Sequence, residues 1–445
     1  MRAPSASRGR AVWLAAAALL AAPVGRTARA AVLDTHFTET TVLSSPDLMD
    51  ATALAFPPDG SNRVFVTRKT SGEVRVVKDG VLLPTPFATV APLQTSVECG
   101  LLGIAFDPDF LANHYVYVFA TVAPTEQQII RYTASGDVGN EKTVIISQLP
   151  TLSSNHDGGA LGFGADGKLY WGVGDNGASV GVNADLVSLA AKIGRANPDG
   201  TLPADNPFAD GAGPNADFIW ARGFRNPYSL TFQPATGLLW VEDVGLNFEQ
   251  VFVVHRGDHA GWTDHEVDQP TGFIRPVIKY RTNGVETRTL DATMGAVRAG
   301  GVATFTTTVP HLFVPGEKLT VSGVTDASFN GDLYVASTPS NTTFTAASPG
   351  ADARSGAGMV VTQAIGGCVT GGAFSDSTGF PSPYRENFFF GDYNTHRLER
   401  ATVDAGSNRV TSVDHFATGV SGAIDIALGG GVGKVGIVTE SMRKQ

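Results

Sequence analysis

The chain has 445 residues, of which 42% are hydrophobic and 17% charged, and its mean hydropathy is +0.03. This composition excludes an intrinsically disordered protein and leaves enough chain to bury a sizeable core. The formal net charge of −10 argues against a protein that binds the phosphates of nucleic acids.

The first 30 residues have the pattern of a secretory signal peptide. Arg2, Arg8 and Arg10 precede the apolar run AVWLAAAALLAA, and Ala28–Ala30 provides a small-residue cleavage site before Ala31. The run is too short to span a bilayer, which takes about 20 residues, and no later segment is long and apolar enough. Cleavage would remove five arginines and no acid, so the net charge would change from −10 to −15. We therefore predict an exported protein, periplasmic or secreted, with no membrane span.

A short phrase recurs along the rest of the chain and predicts its architecture. An apolar residue and Phe are followed by a Pro/Asp/Gly turn and an alternating strand, as in LAFPPDGSNRVFVTR and LTFQPATGLLWVEDVG. Copies begin at Leu54, Ile104, Leu161 and Leu230; the phrase is weakened in the copy at Gly372 and barely visible in the copy at Ile424. Each unit is a small antiparallel sheet that cannot bury its apolar face by itself. Packing such sheets side by side around a central axis buries these faces. The pattern predicts an all-β, six-bladed β-propeller; a β-sandwich array is the alternative, but it would not explain the repeated phrase.

One copy places a histidine and an aspartate at the two ends of a hairpin. In NHDGGALGFGADGKLYWGVGDNG, His156 precedes the first strand, an Asp-Gly turn follows, and Asp175 ends the second strand. A hairpin returns its ends to each other, so the imidazole and the carboxylate are predicted to share one edge of a sheet. That pairing suits a general base held by an acid, although a loop histidine with a purely structural hydrogen bond is the competing interpretation.

Residues 283–363 differ in texture from the repeats. They are rich in Thr, Val and Ser, contain few charges, and have their own strand–turn alternation with Asn330-Gly331 as a predicted hairpin turn. A loop of that length without structure is uncommon, which favours a small inserted all-β domain. The predicted organisation is a signal peptide at 1–30, propeller blades at 31–282 and 364–445, and the insert at 283–363.

Five phrases in a fixed order resemble the glucose/sorbosone dehydrogenase family. They are ECGLLGIAFDPDFLANHYVYV, NHDGGALGFGADGKLYWGVGD, AAKIGRANPDGTLPADNPF, IWARGFRNPYSLTFQPATGLLWVEDVG, and GGCVTGGAF with FFFGDY. The resemblance covers nearly everything from about Ala51 to Leu428 except the insert. It implies a soluble, six-bladed sugar dehydrogenase that depends on pyrroloquinoline quinone (PQQ). Such an enzyme oxidises an aldose at its anomeric carbon and passes electrons to an external acceptor.

The resemblance assigns roles to individual residues. His156 matches the general base that takes the proton of the anomeric hydroxyl as hydride passes to the quinone, and Asp175 matches the carboxylate that orients it. Arg225 and Asn226, in GFRNP, match the pair that contacts the quinone oxygens, where a guanidinium stabilises growing negative charge. Glu98 matches a position beside the cofactor. An ion pair that ties blade loops together is the alternative role for Arg225.

The same resemblance implies a calcium site, with departures from the family pattern. The implied ligands are Gly245, Leu246, Glu249, Gln250 and Ala260. Gln250 stands where a second acid is typical, which removes a charge from a site that prefers anionic oxygen and predicts weaker calcium binding. Ala160 stands where the family usually has Arg or Gln, so one polar cofactor contact is absent. Arg397 is a candidate for a distal cofactor contact.

Two cysteines, Cys99 and Cys368, are present, and an even number in an exported protein favours a disulfide between them over two separate thiols.

Two other functions compete with the dehydrogenase. One is a non-catalytic binding propeller of the hedgehog-interacting type, which Ala160, Gln250 and the weakened last repeat would favour. The other is a calcium-dependent lactonase, which the order of the motifs does not support.

Overall fold

The computed structural model describes residues 31–439 except 38–39, 44–45, 152–154, 178–181, 183, 211–215, 376–379, 405, 421 and 429–434. The predicted signal peptide at 1–30 lies outside the described residues. Nearly all regular structure is β-strand, with one short α-helix, Phe110–Asn113, in the described part. No helix there is long and apolar enough to cross a membrane.

Five antiparallel sheets form the blades of a propeller. A short strand, β1 (Ala31–Val32), precedes them. Blade 1 contains β2 (Ala51–Ala55), β3 (Arg63–Arg68), β4 (Glu73–Lys78), β5 (Val81–Leu82) and β6 (Ala88–Thr89). Blade 2 contains β7 (Leu101–Phe106), β8 (Tyr115–Ala123), β9 (Glu126–Ser135) and β10 (Val138–Pro150). Blade 3 contains β11 (Leu161–Phe163), β12 (Leu169–Val173), β13 (Lys192–Ala196) and β14 (Ile219–Arg222). Blade 4 contains β15 (Pro227–Phe232), β16 (Leu239–Asp243), β17 (Phe248–Val254) and β18 (Ile278–Arg281).

The remaining strands form blade 5 and two further sheets. An eight-stranded sheet contains β19 (Thr287–Thr289), β20 (Ala296–Ala299), β21 (Val302–Thr306), β22 (Lys318–Ser322), β23 (Gly331–Ser337), β24 (Thr343–Ala347), β25 (Ala353–Ser355) and β26 (Met359–Thr362). Blade 5 contains β27 (Val369–Phe374), β28 (Phe388–Asp392), β29 (Arg397–Asp404) and β30 (Arg409–Thr418), and β1 pairs with β30 at its outer edge. The last two strands are β31 (Ala423–Leu428) and β32 (Val435–Thr439). Four 3-10 turns also occur in the described part, at Pro46–Leu48, Ala216–Phe218, Ala327–Phe329 and Ser382–Tyr384.

The first strands of the sheets close a ring. Strand β2 contacts β7, and the contacts continue through β11, β15, β27 and β31 back to β2. Each complete repeat of the sequence therefore supplies the first two strands of one blade. The ring encloses an axial cavity of about 260 Å³, lined by residues from all of these first strands.

The prediction of six blades was wrong in its count. The described residues form five blades of four or more strands, and the sixth position holds only the β31–β32 hairpin. This hairpin corresponds to the copy at Ile424, whose turn sequence has lost the Pro/Asp/Gly phrase. Without further described strands, it fills its place in the ring but does not extend outwards as a blade.

The eight-stranded sheet lies inside the predicted insert and has its own core. Phe305, Phe344 and Leu319 are fully buried in that core. The sheet rests on the outer strand of blade 5, where Arg409 Nη1 donates to the carbonyl of Ala336 at 3.0 Å. Its separability as a domain, with limits at 283 and 363, stays a prediction.

The predicted two-residue hairpin at Asn330-Gly331 was wrong. Strands β22 and β23 do pair, but residues 323–330 connect them. The Asn330 side chain closes this longer connection, because Oδ1 accepts from the N–H of Val324 at 3.0 Å and Nδ2 donates to its carbonyl at 3.1 Å. The asparagine thus acts as a side-chain clamp and not as a turn residue.

The buried carboxyl group of Glu242 should make the stability of the propeller depend on pH. Its side chain on β16 is fully buried, and neither carboxylate oxygen has a hydrogen-bond partner within the described residues. Burial raises the pKa of Glu242 to about 8, well above its ordinary value. The folded protein then keeps a proton that the unfolded chain releases above about pH 4, so the contribution of Glu242 to stability falls as pH rises from about 4 to 8.

We therefore expect Glu242→Gln to raise the melting temperature at pH 8.5. At that pH the folded wild type must either bury an ionised carboxylate or keep a proton that the unfolded chain has released, and both lower its stability. At pH 4 the variant and the wild type should melt together, because the wild-type carboxyl is already protonated in both states. Thermal unfolding followed by circular dichroism at both pH values measures this. A melting difference that is the same at pH 4 and pH 8.5 would contradict the buried, protonated carboxyl.

Candidate active site

His156 and Asp175 lie side by side at one end of blade 3. Strands β11 and β12 pair in antiparallel register, with Leu161 opposite Trp171, and this returns the end of the hairpin to its start. The His156 Nδ1 and Asp175 Oδ1 atoms are 2.6 Å apart, and the aspartate is almost fully buried. A Cβ on Gly174 would collide with the carbonyl oxygen of His156, so only glycine permits this approach. The proximity predicted from the hairpin is thus observed.

Glu98 joins this pair to two neighbouring loops. Its Oε2 accepts the backbone N–H of His156 at 2.7 Å and the side-chain amide of Asn226 at 3.3 Å. The Asn226 Oδ1 in turn accepts the N–H of Gly158 at 3.0 Å. Segments that precede blades 2, 3 and 4 therefore meet at one face of the ring.

Arg225 is fixed at both its backbone and its side chain. Its carbonyl accepts the N–H of Asp175 at 2.7 Å, and its Nη1 donates to the carbonyl of Val244 at 2.9 Å. The backbone N–H groups of Arg225 and Asn226 both donate to the Asp243 carboxyl, at 3.1 and 2.7 Å. No ion pair of Arg225 with a carboxylate is among the contacts of the described residues, so the alternative role as an ion-pair tie gains no support.

Asp243 is a site residue that the sequence analysis missed. Burial raises its pKa to about 7, although the two N–H groups that it accepts act in the opposite direction. Its position at the end of β16, one blade away from the hairpin, is what holds the Arg225-Asn226 backbone. The only available signal was the Glu-Asp pair at the end of the strand in LWVEDVG.

Trp262 also contacts the pair, and the sequence analysis assigned it no role. The indole Nε1 donates to Asp175 Oδ2 at 2.8 Å, and the Arg225 guanidinium carbon lies 5.6 Å from the centre of the ring. Trp262 follows β17 of blade 4, so this contact joins a third blade segment to the hairpin of blade 3.

Of the residues predicted to bind calcium, Gly245 and Glu249 lie together. The Glu249 Oε2 accepts the N–H of Gly245 at 3.4 Å and that of Val369 at 3.0 Å, whereas Oε1 is buried without a hydrogen-bond partner among the described residues. Burial raises the pKa of Glu249 to about 8, and a bound cation would favour its ionised form. An orphaned carboxylate oxygen is the donor that a hard cation needs.

Two further predicted ligands, Gln250 and Ala260, use their N–H groups within the protein. The Gln250 amide donates to the carbonyl of Glu266 at 3.1 Å, and the N–H of Ala260 donates to the carbonyl of Arg222 at 2.9 Å. These contacts leave open whether their oxygens bind a cation, so their role as ligands stays a prediction. Within the part of the chain that the structure describes, no group of three or more His, Cys, Asp or Glu side chains is placed to hold a metal ion. A calcium ion would therefore depend on Glu249 together with neutral oxygens, such as the side-chain oxygen of Gln250 and the backbone carbonyls of Gly245, Leu246 and Ala260.

Glu266 organises the loop that would offer these carbonyls. Its Oε1 accepts the N–H groups of Leu246, Asn247 and Phe248 at 2.5, 2.7 and 3.2 Å, and its Oε2 accepts the Asn247 amide at 2.7 Å. The side chain is buried, so these bonds satisfy a carboxylate that water does not reach. No local sequence pattern indicates this role of Glu266, because the residue is distant in sequence from the loop that it caps.

The predicted Cys99–Cys368 disulfide was wrong. Both cysteines are free thiols, and the Cys99 Sγ instead donates to Asp157 Oδ2 at 3.2 Å. Burial raises the pKa of the Cys99 thiol to about 11, with the Asp157 carboxylate adding to the effect. An even count of cysteines carries no information on whether their side chains face each other, and here one of them faces a carboxylate.

Ala160, where a polar cofactor contact was predicted to be absent, and Arg397, a candidate for a distal cofactor contact, both have defined surroundings in the structure. Ala160 is buried and lines the axial cavity. Arg397 donates to the carbonyl of Ala364 at 2.8 Å and contacts the His415 ring nitrogen at 3.3 Å. A role for Arg397 at the cofactor stays a prediction.

Comparisons with known proteins agree with the motif resemblance. The family model for glucose/sorbosone dehydrogenase matches residues 48–307, more than half of the chain. Aldose sugar dehydrogenase YliI of Escherichia coli is 28% identical over 218 residues, which are 47% of this chain and 58% of that protein. Quinoprotein glucose dehydrogenase B of Acinetobacter calcoaceticus is 29% identical over 241 residues, 47% of this chain and 49% of that protein. The chain thus spans about half the length of these relatives.

A solved structure supports the fold. The crystal structure of a putative oxidoreductase from Thermus thermophilus, named as a glucose dehydrogenase, superposes with a TM-score of 0.60. The match covers 90% of each chain at 21% sequence identity, which establishes the shared propeller fold and nothing finer.

The orphaned oxygen of Glu249 leads to a prediction about calcium. Glu249→Gln should lower the calcium affinity at least about tenfold, because it removes the buried carboxylate of the site whose Oε1 has no hydrogen-bond partner among the described residues. Isothermal titration of the apoprotein with Ca²⁺ measures this. Glu242→Gln is the matched control, since Glu242 is equally buried but contacts neither Gly245 nor Val369. Equal affinities of wild type and Glu249→Gln would show that Glu249 is not a ligand.

Proposed function

Because the chain belongs to the glucose/sorbosone dehydrogenase family, we propose that it oxidises an aldose sugar at the anomeric carbon with PQQ as its cofactor. The observation that carries the proposal is the hydrogen bond between His156 and Asp175, with Arg225 and Asn226 held beside it. A relative whose name includes "quinoprotein" supports the cofactor, and relatives named as sugar dehydrogenases support the substrate class.

His156 is the proposed base. Its Nδ1 is bonded to Asp175, so the imidazole carries its proton on Nδ1 and presents the lone pair of Nε2 to a substrate. The Nε2 atom would accept the proton of the anomeric hydroxyl. Asp175 stabilises the imidazolium that forms, and its own contact with the N–H of Gly177 at 2.8 Å keeps its carboxylate in place.

Arg225 and Asn226 are the proposed cofactor contacts. Bound PQQ would supply the two-electron acceptor for the hydride of the sugar. The residues fit such a group, since a guanidinium and an amide are donors suited to quinone oxygens. Arg225 Nη1 donates to the carbonyl of Val244, and the other N–H groups of the guanidinium could donate to a ligand. Asp243 fixes the backbone of Arg225 and Asn226 by accepting both of their N–H groups.

Glu98 is the remaining residue proposed to lie beside the cofactor. Its hydrogen bonds to the His156 N–H and the Asn226 amide place it next to both of these residues. Calcium is the proposed second cofactor, held by Glu249, the side-chain oxygen of Gln250 and the carbonyls of Gly245, Leu246 and Ala260. We also propose that the protein is exported, on the signal-peptide pattern of residues 1–30, and that it passes electrons to an external acceptor.

The test of the function is reconstitution of the purified protein. PQQ should bind to the apoprotein in the presence of Ca²⁺, and an aldose should then bleach the oxidised cofactor spectrum and support dye reduction. A panel of aldoses identifies the substrate. If PQQ does not bind, the function is refuted in favour of the non-catalytic binding propeller.

His156→Ala gives the sharpest prediction on chemistry. Loss of a general base costs roughly 10² to 10⁴-fold in rate, so sugar-dependent dye reduction should fall by that amount. PQQ binding should be retained, because Arg225 and Asn226 are unchanged. His255→Ala is the control, since His255 is an exposed histidine outside the site. Turnover of His156→Ala at the wild-type rate would rule out the base.

A further inference from the structure

The Asp175 carboxylate depends on donors from three sources. The side chain is only 3% exposed, so water cannot satisfy it. Its Oδ1 is shared by His156 Nδ1 at 2.6 Å and the N–H of Gly177 at 2.8 Å. Its Oδ2 accepts the indole N–H of Trp262 at 2.8 Å. The indole therefore serves the oxygen that does not face the histidine.

Trp262 is held in place by its backbone, independently of its side chain. Residues 258–262 leave blade 4 and run beside the end of β14 in blade 3. The N–H of Arg222 donates to Asp258 at 3.0 Å, that of Ala260 to Arg222 at 2.9 Å, and that of Trp262 to Gly223 at 2.9 Å. These bonds join backbone atoms only, so a substitution of the Trp262 side chain removes none of their donors or acceptors.

We propose that Trp262 is a positioning residue that holds the Asp175 carboxylate by its Oδ2 and so keeps Oδ1 directed at His156. The importance of the residue for catalysis rests on the proposed function. Its action on the His156–Asp175 pair does not, because that action is a property of the apoprotein.

The charges around the pair make the indole donor consequential. Glu98 accepts the backbone N–H of His156, and the buried Asp243 lies close enough to Asp175 to repel its charge. Arg225, whose carbonyl accepts the N–H of Asp175, provides the opposing positive charge. With two acids and one cation nearby, neutral hydrogen-bond donors decide how readily the pair takes up a proton.

Removal of the indole N–H shifts that balance in one direction. An unpaired Oδ2 makes Asp175 more basic, and a more basic carboxylate also makes His156 hold a proton more firmly. Whichever of the two residues carries the added proton, the pair becomes protonated at a higher pH. A substitution that only loosened packing would lower stability without moving this midpoint.

Trp262→Phe tests this in the apoprotein. The signal of His156 is followed against pH by NMR of histidine-labelled protein and assigned with His156→Gln. We expect its midpoint to move upward by about one pH unit, the equivalent of one hydrogen bond to a charged group. Trp240→Phe is the matched control, because the Trp240 Nε1 is buried with no hydrogen-bond partner among the described residues. That variant should leave the midpoint unchanged, and an unchanged midpoint in Trp262→Phe as well would overturn the proposal.

The wild-type protein offers a readout that does not require the variant to fold. The indole N–H signal of Trp262, identified by selective tryptophan labelling, should shift with the same midpoint as the His156 signal. An indole N–H signal whose chemical shift does not change over the pH range in which the His156 signal shifts would overturn the proposal.

In the PQQ-loaded protein, Trp262→Phe should move the acidic limb of the kcat profile upward by about one pH unit, lower kcat about tenfold at pH values well below the midpoint, and leave KM nearly unchanged. A wild type that binds no PQQ and oxidises no sugar would refute the proposed function, yet the apoprotein titration would still decide the role of Trp262. A fall in kcat with an unmoved acidic limb would count against positioning.

Discussion

The hydrogen bond between His156 and Asp175 is the contact around which the site is built. It requires the β11–β12 hairpin to return its ends to the same edge, and it requires Gly174 to let the two backbones approach. Loops from neighbouring blades then fix each partner, through Glu98 on the histidine side and Trp262 on the aspartate side. A closed ring of first strands makes these loops meet. The propeller thus supplies the geometry, and a few buried polar contacts supply the chemistry.

The sequence predicted the parts of the site that are local. The Asp-Gly turn and the alternating strands were enough to bring His156 to Asp175, and the repeated phrase located the first two strands of each blade. The number of complete blades was wrong, because a repeat that begins at Ile424 need not recruit outer strands. Asp243, Trp262 and Glu266 were missed since each acts on a segment of a different loop or blade. Such contacts depend on how the ring closes, which no local pattern records. The disulfide failed for the same reason, because the direction in which a cysteine points is a tertiary property.

Three buried carboxyl groups lie on strands β16 and β17, and they are of two kinds. Asp243 accepts two backbone N–H groups and holds the Arg225-Asn226 segment, which compensates for much of its burial. Glu242 and Glu249 keep oxygens without partners among the described residues. Such groups lower stability, and proteins keep them where they serve a site. Glu249 lies beside a loop that Glu266 holds by its N–H groups, which directs attention to a bound cation there. For Glu242, nothing in the structure explains why an acid is present.

If His156, Asp175, Arg225 and Asn226 bind PQQ together, a crystal structure of the protein with PQQ and Ca²⁺ will show it. We expect the quinone oxygens within hydrogen-bond distance of the Arg225 and Asn226 side chains, and His156 Nε2 facing the carbon that accepts hydride. PQQ bound at another face of the propeller, or with its quinone oxygens away from Arg225, would refute this binding site.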